Sequence, residues 1–146
     1  MKTMFSRRVS AVLAVSAAIF GLVPAGTASA AKQCDFSFST GKFGCTGSNG
    51  VRKSTDVIGA RIYTGTGYTG DMLTIWVPQP CPKNDKVDHF MLLNDSSWRN
   101  RVNSAQAFST CWVWLYRKDG NRDGPFQGNH PDLTFAGDRT FQIGLS

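Results

Sequence analysis

The 146-residue chain contains no glutamate; all ten of its acidic residues are Asp. Few residues that favour long helices follow residue 30, while Gly, Thr, Ser, Asn and aromatics are plentiful, which excludes a helical bundle and points to strands and turns. Histidine occurs only at His89 and His130, and no H-E-x-x-H, G-x-S-x-G or Gly-rich phosphate loop is present. The common signatures of metal-assisted hydrolysis, acyl transfer and nucleotide binding are therefore missing. No two cysteines have C-x-x-C spacing, which argues against a zinc site. The one long apolar run, residues 9–23, has 15 residues, short of the roughly 20 that cross a bilayer.

That run belongs to an export leader. Lys2, Arg7 and Arg8 precede it, Pro24 and Gly26 end it, and Ala28-Ser29-Ala30 forms a small-x-small cleavage site with Ala31 as the new N-terminus. A retained membrane anchor is the rival reading, and the shortness of the run opposes it. Ser6-Arg7-Arg8 carries paired arginines like those of twin-arginine signals, but Ser10 stands where that signal usually has an apolar residue. Of the 16 Lys and Arg in the chain, the leader takes three, which leaves 13 against ten Asp and a net charge of +3. So small a surplus aids solubility and gives no basis for nucleic-acid binding, which needs a strongly basic face.

The remaining 116 residues suffice for one domain. They hold all four cysteines, Cys34, Cys45, Cys81 and Cys111. An even number after a leader implies disulfides, which persist outside the cytoplasm. Three connectivities are open. Cys34–Cys45 with Cys81–Cys111 is favoured, because the first is local and the second ties a long loop to a strand. Each bridge is expected to stabilise the fold by about 2–4 kcal/mol.

Residues 34–56 read as a Gly/Ser/Thr-rich extension with a short hairpin, in which Phe36 and Phe38 alternate with Ser37 and Ser39. Strands are expected over residues 57–63, 72–77, 90–93, 102–108 and 111–116. Residues 78–88 form a long polar loop with three prolines. Residues 119–124 read as a turn, as does the Gly128-Asn129-His130-Pro131-Asp132 stretch. Phe126, residues 133–135 and residues 140–143 complete the pattern. Several short strands at this spacing predict an all-β sandwich or small barrel.

Two stretches then align with each other. Tyr63-x-x-x-x-Tyr68-x-Gly70 opens the first; Cys111-Trp112-Val113-Trp114-Leu115-Tyr116 with Asp119, Gly120 and Gly124 opens the second, and Asn103-Ser104 lies between. The pattern resembles the Greek-key motif of the βγ-crystallins, in particular a secreted bacterial branch that includes metallopeptidase inhibitors, and it covers residues 57–146. The resemblance implies a double Greek-key sandwich carrying a disulfide-pinned extension over residues 31–56. It assigns Tyr63 and Tyr68 to an aromatic corner, Gly70 to a left-handed backbone position, and Ser104 to a hydrogen bond with the folded hairpin. In the second copy Arg122 replaces an aromatic, the span to Gly124 is one residue longer, and Thr140 is the candidate in place of serine.

Calcium sites of that family would fall on Arg99, Asn100, Arg101, Val102, Asn103 and Ser104, but Arg99 puts a cation where an oxygen ligand belongs. No tight metal site and no cofactor are expected; Asn94-Asp95-Ser96-Ser97 reads as a solvated turn. Asp85, Asp88 and His89 cluster in a polar loop without a second histidine nearby, so the protein is expected not to be an enzyme. Arg99, Arg101, Arg117, Lys118, Arg122 and Arg139 are candidates for a basic patch. Trp112, Trp114 and Tyr116 share one face of a strand, to be covered by the opposite sheet or the N-terminal segment, or left open to sugar or peptide. The resemblance implies a secreted, monomeric peptidase inhibitor with an extracellular protease as its partner. The inhibitory loop would be Pro80, Cys81, Pro82 and Lys83, stiffened by prolines and a bridge. An antimicrobial effector and a structural or calcium-responsive module are the alternatives.

Overall fold

The computed structural model describes residues 29–46, 50–94 and 97–146. Most of the expected leader, and Asp95 and Ser96 of the expected turn, lie outside the described residues. The described residues form ten strands and one helical turn: β1 (Gln33–Ser37), β2 (Lys42–Cys45), β3 (Val57–Tyr63), β4 (Met72–Val77), β5 (His89–Leu92), β6 (Ser104–Ala107), β7 (Val113–Tyr116), β8 (Arg122–Phe126), β9 (Asn129–His130), α1 (Thr134–Gly137) and β10 (Gln142–Leu145). This is the expected all-β class. Among the described residues no helix is long and apolar enough to cross a membrane.

The strands make two sheets, β2-β1-β4-β3-β6-β9 and β5-β10-β7-β8. Alternation decides which side of each strand turns inward. Ile62, Leu73, Ile75 and Val77 of the first sheet and Val113, Leu115, Ile143 and Leu145 of the second are almost completely buried in one shared core. Leu93, Trp98, Val102 and Leu133 close its ends.

The order contains a repeat. β4-β3-β6 in the first sheet matches β8-β7-β10 in the second, and the third strand of each set of four sits in the other sheet: β5 beside β10, and β9 beside β6. Tyr63 pairs with Met72 and Ser104, while Tyr116 pairs with Arg122 and Gln142. The residue in register with Ser104 is thus Gln142. Thr140 does not take that place; its hydroxyl donates to the Ala136 carbonyl at 3.0 Å.

The first hairpin corner is tightly determined. Tyr68 N–H donates to Ser104 Oγ at 3.0 Å, and Ser104 Oγ–H donates to the Gly65 carbonyl at 2.6 Å. The rings of Tyr63 and Tyr68 meet edge to face at 5.7 Å, and Tyr63 Oη–H donates to Gln106. Gly70 has φ +76°, and a Cβ there would sit 2.5 Å from Thr64 Oγ1. In the second copy Gly124 is no corner. It lies within β8 at φ +128°, where a Cβ would press on the Val113 carbonyl at 2.9 Å.

Two expected turns change. Residues 122–126 are a strand, because the turn closes earlier, with Gly120 at φ +87°. Asn129 and His130 pair with Gln106 and Ala105 as a two-residue strand rather than a turn. Residues 133–135 enter a helical turn, since Asp132 Oδ1 accepts from both Thr134 N–H and Thr134 Oγ1. The short Leu133-Thr134-Phe135 stretch carries no period that could mark a helical turn.

The N-terminal hairpin joins the sandwich. β1 runs parallel to β4 and antiparallel to β2, with Cys34 opposite Cys45 and bonded to it. The segment that follows is pinned by Asp56, which is 6% exposed and accepts from Ser37 Oγ, Ser39 Oγ and Lys53 N–H. Burial pushes this carboxyl up, but the bonds from Ser39, Ser37 and Lys53 outweigh it and hold it below the usual aspartate range.

Ser104→Ala is expected to destabilise the protein by about 1–3 kcal/mol, because it strips two partners from the corner; urea unfolding should show a lower midpoint at unchanged slope. For Asp56 the unfolded chain binds the proton more readily. Its contribution is therefore complete above ~3.9, the ordinary aspartate value, and disappears as pH falls through the lower folded value. Urea midpoints measured down the acid limb should fall less steeply in Asp56→Asn than in the wild type.

Candidate functional site

Prolines and a cysteine shape the segment between β4 and β5. Pro78 and Pro80 have fixed φ and no N–H, so they end β4 and prevent further pairing. Pro78, Gln79 and Pro80 are exposed, Cys81 is buried at 6% exposure, and Pro82, Lys83 and Asn84 are exposed again. The loop is held at its centre and presented on both sides. The hold is threefold: Cys81 bonds to Cys111, its N–H donates to the Ser109 carbonyl at 3.0 Å, and its own carbonyl accepts from Thr110 Oγ1 at 2.6 Å. Both disulfides therefore follow the favoured pairing.

Ser109 and Thr110 complete this site, and the sequence reading passed over them. They stand between two expected strands and contain no glycine, yet their φ values are +48° and +60°, and Lys83 has φ +59°. Left-handed conformations cost non-glycine residues about 1–2 kcal/mol each and persist only where surroundings enforce them. Here the Cys111 N–H bonded to Phe108 and the Thr110 hydroxyl bonded to Cys81 supply that enforcement. The only sequence signal was the brevity of the link between two strands joined to a distant cysteine. Beside the loop lies a cleft of about 260 Å³ lined by Lys83, Ser109, Thr110, Trp112 and Gln127, among others. Trp112 is fixed there by paired backbone bonds with Ser146, and its buried indole N–H has no acceptor.

The other candidates separate. Trp114 is 4% exposed, donates its indole N–H to Ser146 Oγ at 2.9 Å, and lies 3.7 Å beneath the Arg122 guanidinium. The 84–88 segment crosses the same face: the Asp85 carbonyl accepts from Arg122, and Val87 packs over Gly144. The cover of the Trp114 face is thus Arg122 and this loop, in place of the opposite sheet or the N-terminal segment, and the stripe presents no continuous aromatic platform. Of the six basic candidates, Arg117, Lys118 and Arg139 line one hollow, interleaved with Asp119 and Asp138. Arg117 pairs with Asp123 at 2.7 Å and Arg139 reaches the same carboxylate at 3.7 Å, so the local charge is mixed. Arg99 leaves this set to donate to the Leu93 carbonyl and cover the Phe141 ring at 4.7 Å.

At the calcium-motif positions, Asn103 Oδ1 is buried without a hydrogen-bond partner, while the N–H groups of Asn103 are used within the protein. Asn103 Nδ2–H donates to the Thr64 carbonyl at 2.8 Å, and Asn103 N–H donates to the Tyr63 carbonyl. Among the described residues no three His, Cys, Asp or Glu gather as metal ligands would. His89 stacks on Phe38 at 4.8 Å; burial pushes its imidazole below the usual value against the opposite pull of Asp88. His130 faces the Gln127 carbonyl at 2.9 Å. The two histidines therefore belong to separate structural contacts.

The double variant Cys81→Ser/Cys111→Ser is expected to lose about 2–4 kcal/mol of stability. It should also turn the 78–83 loop from a resistant segment into the preferred cleavage point in limited proteolysis, mapped by mass spectrometry. Comparison with protein-family models, with curated proteins and with solved structures finds no match to this chain.

Proposed function

We propose that the chain is an exported, non-catalytic binding protein with a βγ-crystallin-like double Greek key, and that it inhibits an extracellular peptidase of the metallopeptidase class. The fold part is supported by the exchange of β5 and β9 between the sheets and by Ser104 bonded across the Tyr63–Gly70 corner. Export is supported by the leader pattern at residues 1–30 and by the two disulfides.

One observation carries the inhibitor reading. Pro78, Gln79, Pro80, Pro82 and Lys83 are exposed around a buried, disulfide-bonded Cys81. A loop entering an enzyme cleft normally loses conformational freedom, at a cost of about 0.5–1.5 kcal/mol per immobilised side chain, plus backbone ordering. Three prolines and the clamp on Cys81 remove much of that loss in advance. A loop so held also resists the rearrangement that a peptidase needs to complete cleavage and release. The 78–83 segment combines reach with stiffness, and the sandwich beneath it supplies a fixed base.

Adding the oxidised protein in rising molar ratio to a thermolysin-like metallopeptidase is expected to reduce peptide hydrolysis in proportion, up to one equivalent. Undiminished hydrolysis at stoichiometric excess overturns the reading. Pro80→Gly should weaken inhibition by roughly 2- to 5-fold through restored loop freedom.

A further inference from the structure

The outer face of the six-stranded sheet carries a row of polar side chains. Register places Asp35 of β1, Thr74 of β4, Arg61 of β3, Gln106 of β6 and Asn129 of β9 side by side. Alternation turns them away from the core, because their chain neighbours Leu73, Ile75, Ala60, Ile62 and Ala105 point into it. The adjoining row on the same face holds Trp76 and Phe108, and each ring has an arginine over it. The Arg52 guanidinium lies 4.2 Å from the Trp76 ring, and the Arg61 guanidinium lies 5.4 Å from that of Phe108.

Neither arginine has a counterion among the described residues. The ion pairs there are Arg117–Asp123 and Arg139–Asp123. Arg61 stands in mid-sheet and is half-buried. Its Nε is enclosed without an acceptor, while its two Nη groups, which have no partner in the protein, reach the surface. The acceptors along the row are largely taken. Asp35 Oδ1 accepts from Trp76 Nε1–H at 2.8 Å, Gln106 Oε1 from Tyr63 Oη–H at 2.7 Å, and Asn129 Oδ1 from Gln106 Nε2–H at 3.2 Å. Donors are what stays open: the Nη groups of Arg52 and Arg61 and the Asn129 amide, with Asp35 Oδ2 left as an acceptor at the far end.

These groups define a ligand. A guanidinium held over an aromatic ring keeps its fork of N–H donors free for the two oxygens of a carboxylate. Trp76 in β4 and Phe108 beyond β6 lie two strands apart, about 10 Å at the spacing of neighbouring strands. One carboxylate cannot meet both arginines, so the ligand carries several. The Asn129 amide and Asp35 Oδ2 offer a donor and an acceptor beside them, which suits hydroxyl groups rather than further anions. A duplex nucleic acid would need a far more basic face than a net charge of +3 supplies.

We propose that the outer face of the six-stranded sheet docks an extended polysaccharide of uronic acid units, with carboxylates on Arg61 and Arg52 and hydroxyls along the Asp35–Asn129 row. The surface shares no residue with the 78–83 loop, so its test stands apart from that of peptidase inhibition.

Three probes separate the charge from the sugar: tetragalacturonate, its full methyl ester, and tetraglutamate. Titrated into the oxidised protein at low ionic strength and followed by calorimetry, tetragalacturonate should saturate at one per chain, and added salt should weaken it. The ester keeps the sugars without the charge, and tetraglutamate keeps the charge without the hydroxyls; each should bind at least ~10-fold more weakly. Arg61→Gln should weaken tetragalacturonate at least ~10-fold and Arg52→Gln about 3- to 10-fold, through lost charge-assisted bonds. Lys118→Gln removes an exposed charge from the link between β7 and β8 and should change the affinity less than ~2-fold. If Arg61→Gln does not fold, Arg52→Gln, an exposed position ahead of β3, decides against Lys118→Gln. The proposal is overturned by absence of saturation, by ester or tetraglutamate binding as tightly as the acid, by undiminished affinity in either folded arginine variant, or by equal loss in Lys118→Gln.

Discussion

The structure depends on burying the facing apolar sides of two sheets against each other. Ile62, Leu73, Ile75 and Val77 meet Val113, Leu115, Ile143 and Leu145, and all are essentially removed from water. Each such side chain is worth about 1.5–3 kcal/mol on burial, opposed by the conformational entropy of ordering the chain. A domain of this size has no second core to fall back on. The exchanged strands bind the two layers into one unit: β5 leaves the first set of four to border β10, and β9 leaves the second to border β6. Neither set can complete its sheet without the other, so the repeat folds as a pair.

Everything distinctive about the surface follows from how that sandwich handles its crossings. Getting from β4 in one sheet to β5 in the other needs a long connection, and the chain makes it with three prolines and a cysteine. The Cys81–Cys111 bond ties the middle of the crossing to the entry of β7, and the left-handed Ser109 and Thr110 place carbonyl and hydroxyl where Cys81 needs them. The later part of the crossing lies over the Trp114 face and meets Arg122. At the edge of the first sheet next to β4, β1 and β2 add width that the second sheet does not match, and that mismatch leaves an aromatic hollow lined by Phe36, Phe43 and Phe90. Loop and hollow thus have separate architectural origins, one in the crossing and one in the overhang.

Much of this was legible in the residues. β3 and β4 run over Val57–Tyr63 and Met72–Val77 as expected, because both are β-branched, apolar runs stopped by unambiguous punctuation, Thr64-Gly65 in one case and Pro78 in the other. The Ser104 bond to the hairpin corner was also expected. Predicted strand 102–108 shrank to Ser104–Ala107 because the backbone of Asn103 is taken by Tyr63 on one side and Leu133 on the other. Predicted strand 111–116 starts at Val113 because Cys111 closes a turn onto Phe108. At the second corner Thr140 does not stand in for serine, since the register between β7 and β10 places Gln142 opposite Tyr116. Register is a long-range property, and local spacing carries little of it.

Composition and short-range order thus determined the all-β class, the sites of the strongest strands, the Thr64-Gly65 stop of β3 and the stiffness of residues 78–83. Those properties come from backbone propensities acting within a few residues, so the sequence displays them directly. Tertiary structure alone decided that Trp114 lies under Arg122, that Asp123 reaches both Arg117 and Arg139, and that Phe36, Phe43, Phe90 and Trp98 face a common space. These are juxtapositions of residues far apart in the chain, set by how two unequal sheets stack, and no local pattern records which sheet edge will lie open.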